Sequence, residues 1–230
     1  MTGVATQESP EEQNIAALGV SSKSLSDQAY ERLRDMMLTG ELAANSPLQE
    51  RRLAEALDIS RTPIREALAR LEVEGLVIRQ AGRFPMVRQW TVQEYLEGLN
   101  VRRLLETEAA GLAAGRADPG QAARVQTAIH QLMSSSTPTV KQHWACDDMV
   151  HTLISTATGN GVLAELIRLL RLRTRMFDFS LRREGFKHGC ADHLEIVDAV
   201  LEGDAVRARD RMGRHIDNVK LSIMTKLQRL

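Results

Sequence analysis

Four side chains in the second half of the chain have the types and spacing of a metal site. Asp147 and His151 stand four residues apart, so a helix containing them presents both on one face. On a helix starting near Val140 the apolar stripe is Val140, Trp144 and Ile154, and both polar residues fall inside it. Further on, His193 lines up with Ile196, Val197 and Val200, and His215 with Ala208, Met212 and Val219. Ionisable groups facing a core need partners, because an unpaired buried charge is costly. One carboxylate and three imidazoles converging in a helical bundle make a candidate divalent metal site, with one or two positions left for water or an effector. Taken singly, each histidine reads as well as a ring that satisfies a backbone carbonyl, and Asp147 as an ion-pair partner on a helix face. The joint inward placement of all four favours the metal.

A guanidinium is the second chemical candidate. Val92, Tyr95, Leu96 and Leu99 form a stripe that runs on into Arg102, Arg103 and Glu106. Directed into the bundle, Arg102 can clamp a carboxylate through two parallel hydrogen bonds, which makes it the candidate effector contact. The competing accounts are a pair with Glu106 and surface exposure of Arg103. His130 and His143 read as lying off the inward faces, and Cys146 and Cys190 as spectators. The run from Leu163 to Leu172 is apolar on more than one side, which reads as core and dimer interface rather than a cofactor pocket. Gly185 and Gly189 mark a loop.

The first half carries a different chemistry. Two short helices meeting at Asp58-Ile59-Ser60 form a helix-turn-helix, whose second helix can enter a DNA major groove. That helix sends Ile64, Ala67, Leu68 and Leu71 to one side and Thr62, Arg65, Glu66 and Ala69 to the other, with Arg61 near its start. Arginine can donate two hydrogen bonds to a guanine edge, and threonine can reach a phosphate or a base. From Gly75 to Trp90 the chain carries Arg79, Arg83 and Arg88 without an acid, which suits a wing against phosphates or the minor groove.

The elements that must position these groups are mainly helical. Aromatics make up only 3% of the 230 residues, and Ala, Leu, Arg and Glu are plentiful. Residues 1–22 carry no sustained apolar period and read as a disordered tail. Residues 23–90 read as three helices plus a short hairpin of Leu76–Gln80 and Phe84–Arg88, with Ser60 as a helix N-cap. Residues 91–230 open on a capping-box pattern, Thr91 with Glu94, and read as an antiparallel bundle of about six helices. Their spans are Thr91–Gly115, Pro119–Met133, Val140–Thr158, Val162–Arg183, Asp192–Glu202 and Ala205–Leu227. Thirty basic residues balance thirty acidic ones, which excludes a globally cationic binder and makes any positive potential local. Two cysteines cannot build a disulfide framework, and no apolar run spans a bilayer, so the expectation is a cytoplasmic protein without a membrane partner.

These residues also carry a resemblance. Leu53 to Val77 closely resembles the winged helix-turn-helix of the GntR superfamily, with Ser60-Arg-Thr-Pro-Ile-Arg-Glu-Ala-Leu68 as its signature and Glu74-Gly-Leu76 leading into the wing. With flanks it covers Ser24 to Arg88. The resemblance implies DNA contacts at Arg51, Ser60, Arg61, Thr62, Arg65 and Gly82, beside Arg83 in the wing. Two positions depart from the pattern. A Pro-Gly before the second helix is Ala44-Asn45 here, and Asn still tolerates a left-handed backbone. A wing position often held by His is Ala81, which leaves its contact with the minor groove open.

The second half resembles the FCD ligand-binding domain of the FadR branch of that superfamily, in its shorter, VanR-like form. The resemblance rests on Arg102-Arg-Leu-Leu-Glu106, Asp147-Asp-Met-Val-His151 with Gly159-Asn160, Asp192-His-Leu-Glu-Ile196 and Arg214-His215. It implies a metal held by Asp147, His151, His193 and His215, zinc first and nickel or manganese after it, helping to hold a small carboxylate. The combined expectation is a homodimeric, DNA-binding transcription regulator, more specifically a repressor of a near-palindromic operator, released by that effector. Two rivals are a regulator with the ion itself as effector and a metal-dependent hydrolase. No general base or nucleophile stands by to serve the latter, so the expectation is not an enzyme.

Overall fold

The computed structural model describes residues 23–181 and 187–228. The expectations for the tail of residues 1–22 and for Gly185 fall outside them. Two compact units divide the described residues, one built from residues 23–37 with Glu41–Val87, the other from Leu38–Gly40 with the described residues from Arg88 onward.

The first unit holds α1 (Leu25–Leu38), α2 (Glu50–Leu57), α3 (Arg61–Val73), β1 (Val77–Ile78) and β2 (Met86–Val87). The Ser24 hydroxyl accepts the Asp27 N–H at 3.0 Å and starts α1, which buries Ala29, Tyr30, Leu33, Met36 and Met37. Asp58 closes α2 in the left-handed region, φ 52°, and its N–H returns to the helix end, as short polar side chains tolerate. On α3 the stripe Ile64, Ala67, Leu68 and Leu71 is buried, and Pro63 with it. Leu57, the last residue of α2, is half-buried. Ser60 occupies the N-cap position, but its hydroxyl accepts no helix N–H.

The hairpin is shorter than its sequence pattern. Val77 pairs with Val87 and Ile78 with Met86, and there the ladder stops. Pro85 has no N–H to give, and its carbonyl accepts from Leu48 N at 2.7 Å. Asn45 N to Val87 O at 2.9 Å and Val87 N to Ser46 O at 3.1 Å complete a clasp that fixes the wing strand on its far edge. Asn45 sits at φ 63°, the left-handed conformation that the departure from Pro-Gly has to supply.

Among the described residues, the second unit holds six helices: α4 (Val92–Ala113), α5 (Pro119–Ser134), α6 (Val140–Ala157), α7 (Gly161–Leu181), α8 (Lys187–Leu201) and α9 (Ala205–Leu227). Capping boxes at Thr91/Glu94 and Thr139/Gln142 start α4 and α6. Helix α4 is central and packs on α6, α7, α8 and α9. Tyr95 of α4 stacks on Phe177 of α7 with centroids 4.5 Å apart. Helix α8 begins five residues before the expected Asp192 and takes in Gly189, so that glycine belongs to a helix and not to a loop. A polar seam runs through the core, where Arg102, Glu106, His143, His151, Arg171, Thr174, His193 and His215 are all buried, and Ser155 and Thr158 are buried as well.

Candidate metal centre and nucleic-acid interface

Asp147, His151, His193 and His215 come together from α6, α8 and α9, and one donor atom from each lies within 4.8 Å of the others. Asp147 Oδ1 stands 3.6 Å from His151 Nε2 and 3.4 Å from His193 Nε2. Both imidazole nitrogens are buried, and neither has a hydrogen-bond partner. Two lone pairs left unsatisfied around one carboxylate oxygen are what a cation would fill, and the N₃O donor set suits a borderline divalent ion. The residues fit such an ion.

Behind this quartet lies a layer that orients it. Glu106 hydrogen-bonds His151 Nδ1 through Oε2 and accepts Arg102 Nε through Oε1 at 2.7 Å. A carboxylate on Nδ1 keeps the proton there and turns Nε2 towards the centre, as the outer partners of metal-binding histidines do. Asp192 stands 3.5 Å from His215 Nδ1, a buried nitrogen that has no hydrogen-bond partner. Burial alone would raise the Glu106 carboxyl, but Arg102, His151 and Arg171 hold it well below the usual carboxylate range. Burial, aided by Arg171, pushes the His151 imidazole down to about 4 against the pull of Glu106 and Asp147. His193 is lowered well below its usual value by burial and then by His215. Both rings are neutral at pH 7 and able to act as ligands.

Above the quartet, Arg102, His143, Trp144, Arg171, Thr174 and Arg175 line a cavity of about 30 Å³. Arg102 Nη1 donates to Thr174 Oγ1 at 3.0 Å. Arg171 Nη2 reaches Asp147 at 2.7 Å and Asp148 at 3.1 Å, while its buried Nη1 has no hydrogen-bond partner. Against the cost of burial, Arg171 above all holds the Asp147 carboxyl well below its usual range. Three guanidinia (Arg102, Arg171, Arg175) thus face three carboxylates (Glu106, Asp147, Asp148), and the cluster balances before any ion is added.

Several expectations change here. Arg102 is directed inward, but it also pairs with Glu106, so the two accounts of it hold together. Arg103 is exposed and pairs with Asp217 at 2.8 Å. His143, read as off the inward face, is buried against the cavity, because it precedes Asp147 by one helical turn. The Leu163–Leu172 run is not wholly apolar packing: Ile167 and Leu172 are buried, Leu166 is exposed, and Arg171 within the run reaches the seam. Arg171, Thr174 and Arg175 were missed, although their spacing of three and four residues is the helical signal that marked Asp147 and His151. Cys146 and Cys190 pack into the core, and burial pushes the Cys146 thiol up to about 11.

In the first unit, Arg51, Ser60, Arg61, Thr62, Arg65, Gly82 and Arg83 are all exposed. Arg61 and Arg65 converge on one carboxylate: Arg61 Nη2 lies 3.2 Å and Arg65 Nη2 3.0 Å from Glu50 Oε2. Arg65 above all holds the Glu50 carboxyl below its usual value. Arg51 is outside this group, 3.8 Å from Glu55. In the wing turn, Gly82 takes φ 73° and Arg83 Nη1 donates to Gln80 Oε1 at 3.1 Å. Among the described residues, no helix is long and apolar enough to cross a membrane.

Comparison with known proteins agrees with both halves. The pattern of the bacterial regulatory proteins of the gntR family matches residues 25–84, and the FCD domain matches residues 97–218. The Uxu operon transcriptional regulator of Escherichia coli is 30% identical over 203 residues, spanning 76% of this chain and 77% of that protein. Mce2R, a helix-turn-helix transcriptional regulator of Mycobacterium tuberculosis, is 27% identical over 239 residues, spanning 93% and 97%. The solved structure of E. coli McbR/YncC has the same fold, with a TM-score of 0.78 at 21% identity over 90% of this chain and 99% of that one. The chain belongs to the GntR family of DNA-binding transcription regulators, with an FCD domain as its second unit.

Proposed function

We propose that this chain is a homodimeric repressor whose hold on DNA is relaxed by a small carboxylate, and that the acid binds beside a divalent metal in the helical unit. The observation that carries the reading is the quartet Asp147, His151, His193 and His215, with donors within 4.8 Å directly below an arginine-lined cavity. A bound ion, zinc in the first place, supplies a positive charge and open coordination positions for an acid. Added to a cluster that is already balanced, it leaves a surplus of about two positive charges, which a monocarboxylate offsets by half and a dicarboxylate in full. Arg102 and Arg171 present donors from the cavity wall, and the neutral imidazoles hold the ion without adding charge.

On the DNA side, α3 presents Arg61, Thr62 and Arg65 to base edges, with Ser60 and Arg51 towards the backbone. Gly82 and Arg83 lead the wing. Two such units on one dimer read half-sites about 34 Å apart or at a related spacing. An acid changes DNA affinity only by binding one arrangement of the dimer better than another.

The test is fluorescence anisotropy on a duplex selected by the protein from a random pool. Metal-loaded and chelator-stripped protein are compared, each with and without small carboxylates. The reading expects release of DNA by an acid from the loaded protein alone. Release driven by the metal without any acid favours the ion as effector, and a protein that selects no sequence overturns the DNA assignment.

A further inference from the structure

Asp148 is the one carboxylate of the cluster that is not needed to hold the quartet, and its position is unusual. Arg175 grips it as a fork, Nη1 to Oδ2 at 2.7 Å and Nη2 to Oδ1 at 2.5 Å, and Arg171 Nη2 adds a third contact at 3.1 Å. The two guanidinia are inside, with side chains only 7% and 11% exposed, whereas the Asp148 side chain is 51% exposed. A half-exposed carboxylate therefore engages two buried guanidinia that also line the cavity, Arg175 Nη2 being shared with Asp147 at 3.2 Å. The cavity that Arg171 and Arg175 line, about 30 Å³, has room for a water molecule or two and none for an organic acid. Something must move before an acid can enter, and the half-exposed Asp148 can leave by turning about its own side-chain torsions.

We infer that Asp148 is a built-in stand-in for the effector: its carboxylate occupies the Arg171–Arg175 fork in the empty site, and an incoming acid binds by displacing it. This rests on the carboxylate reading given above and adds the competitor to it. The exchange is one carboxylate for another on the same two guanidinia, so neither arginine is stranded in a desolvated, unpaired state at any stage. A tethered competitor acts like free anion at high effective concentration and lowers the apparent affinity for the acid by the fraction of time it is seated. Asp148 thereby sets the acid concentration at which the regulator responds.

Isothermal titration of metal-loaded wild-type protein, Asp148→Asn and Arg175→Gln with formate, acetate, lactate, succinate, citrate and glucuronate tests this. Tightening by tenfold or more in Asp148→Asn for at least one acid, with weakening in Arg175→Gln, is the expected result. Equal or weaker binding by Asp148→Asn than by wild type overturns the stand-in role and leaves the carboxylate reading intact. If none of the three proteins binds any acid, both fail together. Thermal melting of each variant shows that it is folded, and Asp148→Ala repeats the comparison should the asparagine amide pair with Asp147.

Discussion

Glu106 hydrogen-bonds the Nδ1 side of His151 with one oxygen and takes the Arg102 guanidinium with the other. A residue on the central helix thus orients a ring on α6 that belongs to the candidate metal quartet, without being a member of that quartet itself.

Replacing Glu106 by Gln keeps the shape but removes the charge, and the amide can present N–H where Nδ1–H now points. Metal affinity is expected to fall about 10- to 100-fold, the usual effect of losing an outer carboxylate partner. A competition titration against a chromophoric chelator measures it, and unchanged affinity would place Glu106 in a purely structural role.

His193→Ala removes one of the four donors, and metal content in the purified protein should drop. Elemental analysis giving undiminished stoichiometry would take His193 out of the site.

Chelation should also lower the melting temperature of the wild type. An ion that binds only the folded chain stabilises it by RT ln(1 + [L]/Kd), about 2.7 kcal/mol at a hundred times Kd. His151, His193 and His215 are all buried and come from three different helices, so the gain is felt across the bundle. A melting curve that a chelator leaves in place argues against occupancy.

Arg65→Ala should cost about 1–3 kcal/mol of binding to the selected duplex and relax preference at one base pair, as loss of a bidentate base contact does. Retained affinity with retained preference would move Arg65 off the base edges.

Glu50 accepts from both Arg61 and Arg65. Its replacement by Ala frees two guanidinia and removes a negative charge close to DNA. Binding to random-sequence duplex should strengthen while the ratio of specific to random binding falls, because phosphate attraction grows as the orientation of the two forks is lost. A salt titration on both duplexes reads the two effects separately.

Much of this was legible in the sequence where a polar residue interrupts a clear apolar stripe. Asp147, His151, His193 and His215 each stood out against Val, Ile or Met at helical spacing, and the order of nine helices among the described residues follows the turn signals closely. Arg171 was hidden for the opposite reason. It sits among leucines on a helix with no clean stripe, so one inward guanidinium looked like the solvated side of a packing helix. His143 was lost to a projection that did not extend one turn back from Asp147. The wing strands shortened because Pro85 and the clasp from Asn45 to Leu48 are tertiary facts that no alternating pattern displays.

Cys146 adjoins Asp147 in the chain, yet a step of one residue on a helix turns it about 100° away, into the apolar core where its thiol is held protonated. That sulfur is thus turned into the core, and every donor the quartet offers is nitrogen or oxygen. Thiophilic ions such as cuprous copper or mercury find no matching ligand there. Peroxide and alkylating agents, which attack the thiolate, should leave the metal affinity of the proposed site untouched, as a competition titration before and after treatment would read.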